Sequence, residues 1–322
     1  MGDYFNIRYS ELRFTVRLVN DSELPRFKAS AIRGGMGDML LDEYCIREEL
    51  RRDKNSKCEE CDFLKECIVQ KILYSEMDIT PAFMSYGNSV GYIVECMDMR
   101  EFFSEGELLQ FKLILFGKNC FYLSQYLSAI YRLGIYGLGK DRCQFEVVSV
   151  KNMRNEDILV DNNVIKSNYR IKYVSDYVDW RINKLNHQLD SSCFRIKYNT
   201  PLSIKKNGGF LKEIDIEDLY TNLRRRIFIM NCFEGNDFPD LLDKIELNVN
   251  QLNGENRPTR IPRYSFRKNQ KILLDGVYGF LDVDISEMND SESFLKELIA
   301  GELIHVGSNT SFGFGGYYIT EI

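Results

Sequence analysis

The chain is poor in the side chains that most often move protons. Its 322 residues hold two histidines, His187 and His305. It opens with no cationic stretch followed by an apolar run, and no run approaches the ~20 apolar residues that a bilayer-spanning helix needs. A secreted or membrane-embedded protein is therefore not expected, and the reading is of a cytoplasmic one. Positive charge is also in deficit: 42 Lys and Arg against 48 Asp and Glu leave a net charge of −6. That balance excludes a protein that coats nucleic acid with its whole surface and requires any polyanion to meet a local basic strip. A P-loop, a paired-carboxylate metal motif and a Ser/His/Asp order are all missing, and Gly134 to Gly139 lacks the preceding strand of a dinucleotide fingerprint. Nine cysteines without a secretion signal do not make a disulfide framework, so thiols or metal ligation are expected.

What is present suffices for two compact domains: the length exceeds one ordinary domain and 44% of the residues are hydrophobic. Leu12, Phe14, Val16 and Leu18 alternate with Glu11, Arg13, Thr15 and Arg17, the period of a half-buried strand. Pro25 opens a helical segment through about Tyr44, residues 92–96 and 108–116 read as strands, 121–133 as a helix and 143–150 as a strand. The second half repeats that order: strand 193–198, helix 217–232, strands 247–252 and 277–285, helix 291–300 and strand 317–319. In both halves a glycine-rich loop precedes the last strand, which argues for an internal duplication. The fold class expected is α+β, two tandem ferredoxin-like (RRM-like) domains, with residues 1–155 and 191–322 as the domains and 156–190 connecting them.

Cys45, Cys58, Cys61 and Cys67 stand in a C-x12-C-x2-C-x5-C pattern inside a charged insert, 45–67. Four thiolates can enclose one tetrahedral zinc, and a metal would supply what so small an insert cannot bury, so a structural Zn is expected, with an iron–sulfur cluster as the alternative. A second cluster surrounds Tyr264 and Phe266: Arg257, Arg260, Arg263, Arg267, Lys268 and Lys271 interleave with these aromatics. Such a strip can grip phosphates and stack unpaired bases. The third is the loop after the last helix, in which Gly307, Ser308, Asn309, Thr310, Gly313 and Gly315 offer small residues and backbone amides to an anion, with His305 at its entrance. A histidine beside a phosphate cradle is a candidate proton-transfer group.

In sum of order, Tyr198-Asn199-Thr200-Pro201-Leu202, the helix bearing Arg224-Arg225-Arg226, the segment from Arg263 to Gln270 running into Gly276-Val277-Tyr278-Gly279, and His305-Val306-Gly307 with Phe312-Gly313-Phe314-Gly315 resemble the CRISPR-associated protein six family of RAMP-superfamily endoribonucleases. In the first half Arg33-Gly34-Gly35-Met36-Gly37, the four cysteines and Gly134 to Gly139 are similar to a branch with a cysteine-rich insert. The resemblance implies processing of CRISPR precursor RNA with the CRISPR repeat RNA as partner, in a monomer or homodimer or beside subunits of a CRISPR effector complex. It implies metal-independent cleavage, in which the 2′-hydroxyl attacks the neighbouring phosphate to leave a 2′,3′-cyclic phosphate, with no cofactor needed for catalysis. Many members carry a catalytic histidine near the first helix, whereas residues 24–45 contain none. Proton transfer then falls to His305, or Tyr44, Lys28 and Arg33 support a slower mechanism, or the chain is a non-catalytic RAMP-type RNA-binding subunit.

Overall fold

The computed structural model describes residues 4–322 apart from 48–57, 59–60, 76, 85–88, 161–163, 167–168, 187–191 and 266–269. The first half runs β1 (Arg8–Leu18), α1 (Ala29–Tyr44), β2 (Tyr92–Glu95), β3 (Leu108–Phe116), α2 (Leu123–Tyr136) and β4 (Phe145–Lys151). Alternation in β1 follows the pattern for most positions: Leu12, Phe14, Val16 and Leu18 are buried while Arg13 and Arg17 are exposed, but Glu11, expected outside, is buried. All pairings are antiparallel and the sheet order is β2-β3-β1-β4. This is the β-α-β-β-α-β connectivity expected for this half.

The connecting segment contributes α3 (Val174–Asn186), and the second half follows with β5 (Cys193–Tyr198), α4 (Ile216–Cys232), β6 (Asn250–Ser265), β7 (Gln270–Asp284), α5 (Ser291–Ile304) and β8 (Tyr317–Glu321). Its sheet order, β6-β7-β5-β8, is the same arrangement again. Both helices start where an aspartate caps them: Asp215 accepts from the Asp218 amide and Asp290 from the Ser293 amide. No helix among the described residues is long and apolar enough to cross a membrane.

One element departs from the pattern-based expectation. The strands expected at 247–252 and 277–285 are the base of a hairpin that pairs from Asn250↔Asp284 out to Ser265↔Gln270. Pro258 and Pro262 hide it in the sequence, yet β6 is an edge strand, where a missing N–H on the outer side costs no ladder bond.

The two halves interlock. The second core takes in Ile7, Tyr9, Ile93, Ile114 and Phe116 from the first sheet, and the first core takes in Phe314 from the carboxyl-terminal loop. Phe314 meets Phe27 edge-on with ring centroids 5.2 Å apart. The linker helix is tied down by Arg181, whose Nε donates to Glu302 at 3.0 Å while Tyr177 donates to the same carboxylate at 2.8 Å. Arg181 and Glu302 are both buried, so losing either partner would strand a charge.

Candidate active site

The glycine-rich loop and His305 were expected to form the phosphate cradle and its proton-transfer group, and their geometry is different. Helix α5 ends by passing the Gly301 carbonyl to the His305 amide at 3.0 Å, after which His305 takes φ 58° and ψ 162°. That region is essentially restricted to glycine and costs about 1–3 kcal/mol for another residue, so the surroundings must hold it. They do so through the ring, which is 1% exposed. Nδ1 lies 2.7 Å from the Phe314 carbonyl and Nε2 lies 2.9 Å from Glu95 on β2, across the boundary between the halves. Lys112 on β3 reaches the other Glu95 oxygen at 3.1 Å. Burial pushes the Glu95 carboxyl up, and the His305 hydrogen bond with the Lys112 charge outweighs it, bringing it down to about 2. In this geometry both ring nitrogens are held by protein groups, and His305 bridges the two halves.

Four of the loop amides are spent in the same way. Ser308 N–H donates to Ser203 at 2.7 Å, Gly315 N–H to Pro201 at 2.9 Å, Phe312 N–H to Asn309 at 2.9 Å and Gly313 N–H to Thr310 at 2.8 Å. Gly313 and Gly315 are needed for close packing: an added Cβ would sit 2.7 Å from the Val94 carbonyl oxygen at one and 2.1 Å from that of Val306 at the other. Gly307 likewise abuts the Ser203 carbonyl, Thr310 is buried, and Asn309 turns the chain at φ 63°. The loop is a plug rather than an open nest of donors.

Of the other candidates, Lys28 is fully buried and donates Nζ to the carbonyls of Asp98, at 3.0 Å, and Arg100. Burial pulls its pKa down. It ties the start of α1 to the segment after β2 and presents no ammonium outward. Tyr44 lies at the far end of α1, eleven residues and so about 16 Å along the axis from Arg33. Burial raises its pKa, and Glu43 and Ser128 are its neighbours.

Arg33 is different. Its guanidinium carbon stands 5.1 Å from the centroid of Phe312 and 6.0 Å from that of Tyr92, and its Nε is buried without a hydrogen-bond partner. Arg263 on β6 covers the same Phe312 ring at 4.1 Å. Burial lowers the Arg263 pKa, and the Arg33 charge lowers it further. Among the described residues no carboxylate forms an ion pair with either group. Two like charges held about one ring are an arrangement that an anion would relieve, at the meeting of α1, the 310–312 turn and the hairpin. The aromatic members, Phe312 and Tyr92, were missed in the sequence because each stands in an apolar context that reads as core.

The rest of the basic strip lies along the hairpin. Arg257 pairs with Glu255 at 2.7 Å and Arg260 with Asp275 at 3.0 Å, both on the exposed surface, and Lys271 is exposed opposite Tyr264. Arg267 and Lys268, like His187, lie outside the described residues.

The expected metal site is not shown. Among the described residues no group of His, Cys, Asp and Glu gathers as a metal-binding cluster, and the zinc (or iron–sulfur) expectation for Cys45, Cys58, Cys61 and Cys67 has no support. Two of these residues are occupied locally: the Cys45 thiol points to the Arg47 carbonyl at 3.7 Å, and Cys67 packs against the first core.

No curated protein sequence matches the chain. Solved structures do. A partial Cas6-RT-Cas1–Cas2 complex superposes with a TM-score of 0.60 at 10% identity, covering 99% of this chain and 47% of that one, so the chain spans about half the length of this relative. A Cas6 product complex gives 0.54 at 12% identity over 97% of this chain and 99% of that one. Thermus thermophilus Cas6 gives 0.52 at 10% identity over 98% and 99%. At these identities the likeness is one of fold. Sequence families carry more: residues 7–173 match a family described as an N-terminal domain, and residues 196–317 match CRISPR-associated endoribonuclease Cas6. The last match spans β5 to β8, the same stretch that supplies Arg263, Phe312 and His305, so it is the second half of the chain that matches the Cas6 family.

Proposed function

We propose that this chain is a CRISPR repeat-processing endoribonuclease built on two tandem ferredoxin-like domains, and that the Arg33–Phe312–Arg263 cluster holds the scissile phosphate. The observation that carries this is the pair of guanidiniums that, among the described residues, form no ion pair with a carboxylate, at a junction of both halves. The ribose 2′-oxygen forms a bond to phosphorus, the bond to the 5′-oxygen breaks, and the products are a 2′,3′-cyclic phosphate and a 5′-hydroxyl. The proton of the attacking hydroxyl leaves to solvent and the departing oxygen takes one up. The two arginines supply charge to the crowded phosphorane, a task that fixed cations can perform. Arg257, Arg260 and Lys271 extend the RNA path along the hairpin, and Tyr264, Arg267 and Lys268 are the further RNA contacts expected from the sequence. The exposed Arg257 and Arg260 pairs are cheap to exchange for phosphates.

Acid–base catalysis by a side chain contributes about 10²–10⁴-fold, so an enzyme without an accessible imidazole turns over slowly. The second reading, a RAMP-type subunit that binds RNA uncut within a CRISPR complex, is favoured by one observation: among the described residues the only imidazole is sealed. Repeat RNA incubated with the protein in EDTA separates the two readings. Cyclic-phosphate products, lowered about 10²–10³-fold in single-turnover rate by Arg33→Ala or Arg263→Ala, support the enzyme. Binding without products supports the subunit, and cleavage indifferent to both substitutions removes the arginine cluster from the chemistry.

A further inference from the structure

The outer face of the second sheet carries a group of side chains that neither the core nor the arginine cluster uses. Tyr278 and Phe280 lie two residues apart on the inner strand β7, both half-exposed. Register places Lys197 of β5 directly beside Phe280, and Arg257 of β6 beside Tyr278, so all four share one face. Arg195 lays its guanidinium 4.0 Å from the Phe280 centroid and is fixed there by Asp282 at 2.7 and 2.8 Å. Lys197 is exposed and has no ion pair among the described residues. Together with Glu255 these residues border a cavity of about 480 Å³. Gly279 between the aromatics has φ +147°, and an added Cβ would fall 1.7 Å from the Glu255 carbonyl oxygen, so the strand is bent here in a way other residues resist.

The geometry points to this face as a second RNA site, one that takes unpaired nucleotides: bases on Tyr278 and the Arg195–Phe280 stack, phosphates on Lys197 and Arg257. Rings interleaved with cations suit single-stranded RNA because every base has a π-face and every linkage a charge, and here Lys197 stands without an ion pair among the described residues while the exposed Arg257 pair is cheap to exchange for a phosphate. The placement also fits the cluster described above. Arg257 and Arg263 occupy positions of the same parity on β6, about 20 Å apart, so a chain whose phosphate sits between Arg33 and Arg263 can continue along one strand face into this pocket. The site rests on the reading of the chain as RNA-acting, and deepens it by naming single-stranded flanking sequence as what the second domain holds.

Fluorescence anisotropy with short fluorescein-labelled oligo(U) and oligo(A) tests it on the full chain. Tyr278→Ala combined with Phe280→Ala is expected to weaken both oligonucleotides about ten- to a hundredfold, the scale of lost base stacking. Tyr278→Phe with Phe280→Tyr should retain wild-type affinity, which guards against a folding defect. Wild-type protein given 4-thiouridine-substituted oligo(U) should photo-crosslink within residues 277–280. Oligonucleotide affinity unchanged in the alanine variant, or crosslinks confined to other strands, overturns the site and leaves this face to a protein partner. Failure of the broader reading looks different: wild-type protein would then bind neither oligonucleotides nor repeat RNA, whereas loss of this site alone leaves cleavage at Arg33 and Arg263 in place.

Discussion

Lowering the pH should uncouple the halves through one carboxylate. Glu95, half-buried at the end of β2 against the carboxyl-terminal loop, has its carboxyl lowered from 4.5 to about 2 because the His305 hydrogen bond and the Lys112 charge outweigh burial. A group with a depressed folded pKa contributes stability in full above its unfolded value and loses it as the pH falls through the folded one. The window is therefore from about pH 4.5 down to about pH 2. The difference corresponds to about 3 kcal/mol, a large share of the ~5–15 kcal/mol that holds a typical domain. Urea unfolding of wild-type protein and Glu95→Gln across this window gives the measurement. The amide keeps an oxygen toward His305 but cannot titrate, so its stability should fall less steeply than that of wild type, the gap between the two curves narrowing by about 3 kcal/mol at the acid end. Parallel curves would show that other carboxylates govern acid unfolding and that the clamp contributes nothing.

Phe314→Ala empties a fully buried site in the core of the opposite half and should cost about 3–5 kcal/mol, seen as a lower urea midpoint. Chelator added to purified protein should leave that midpoint unchanged, since the four cysteines do not converge among the described residues; a fall would restore the metal. His305→Ala should lower cleavage only in proportion to the fall in stability, with the pH–rate profile of the residual activity unaltered. A profile that loses an inflection would return the imidazole to the chemistry.

Much of the fold was legible because it is written in local periodicity. β1, β3 and β5 are amphipathic or apolar runs of strand length, and the strands at 108–116 and 193–198 have the bounds that the pattern suggests. The hairpin was not legible, because Pro258, Pro262, Gly276 and Gly279 are strand breakers unless one knows that β6 is an edge and that β7 bends. Strand pairing over that length is a long-range fact with no local signal. The cysteine spacing does not settle a metal site for a related reason: a C-x2-C turn brings two sulfurs near each other, but whether two more arrive is decided by packing, and Cys67 packs against the first core.

His305 shows why a site is harder to read than a fold. A glycine-rich loop next to a histidine carries the same residue types whether the glycines free the amides for a ligand or let the chain pack at van der Waals limits. Here Gly313 and Gly315 do the second, and the amides that would have met phosphate are bonded to Thr310 and Pro201. The consequence reaches the candidate site indirectly. Arg33 belongs to the first half, while Arg263 and Phe312 belong to the second, so their separation is set by how firmly the halves are held. Phe314 in the opposite core and His305 against Glu95 hold it from one side, and Arg226 does so from another, reaching Ser89 at 2.6 Å and the Ile304 carbonyl at 3.2 Å. Two guanidiniums held about one ring with no ion pair among the described residues repel each other, and a junction over-determined in this way is what keeps them there.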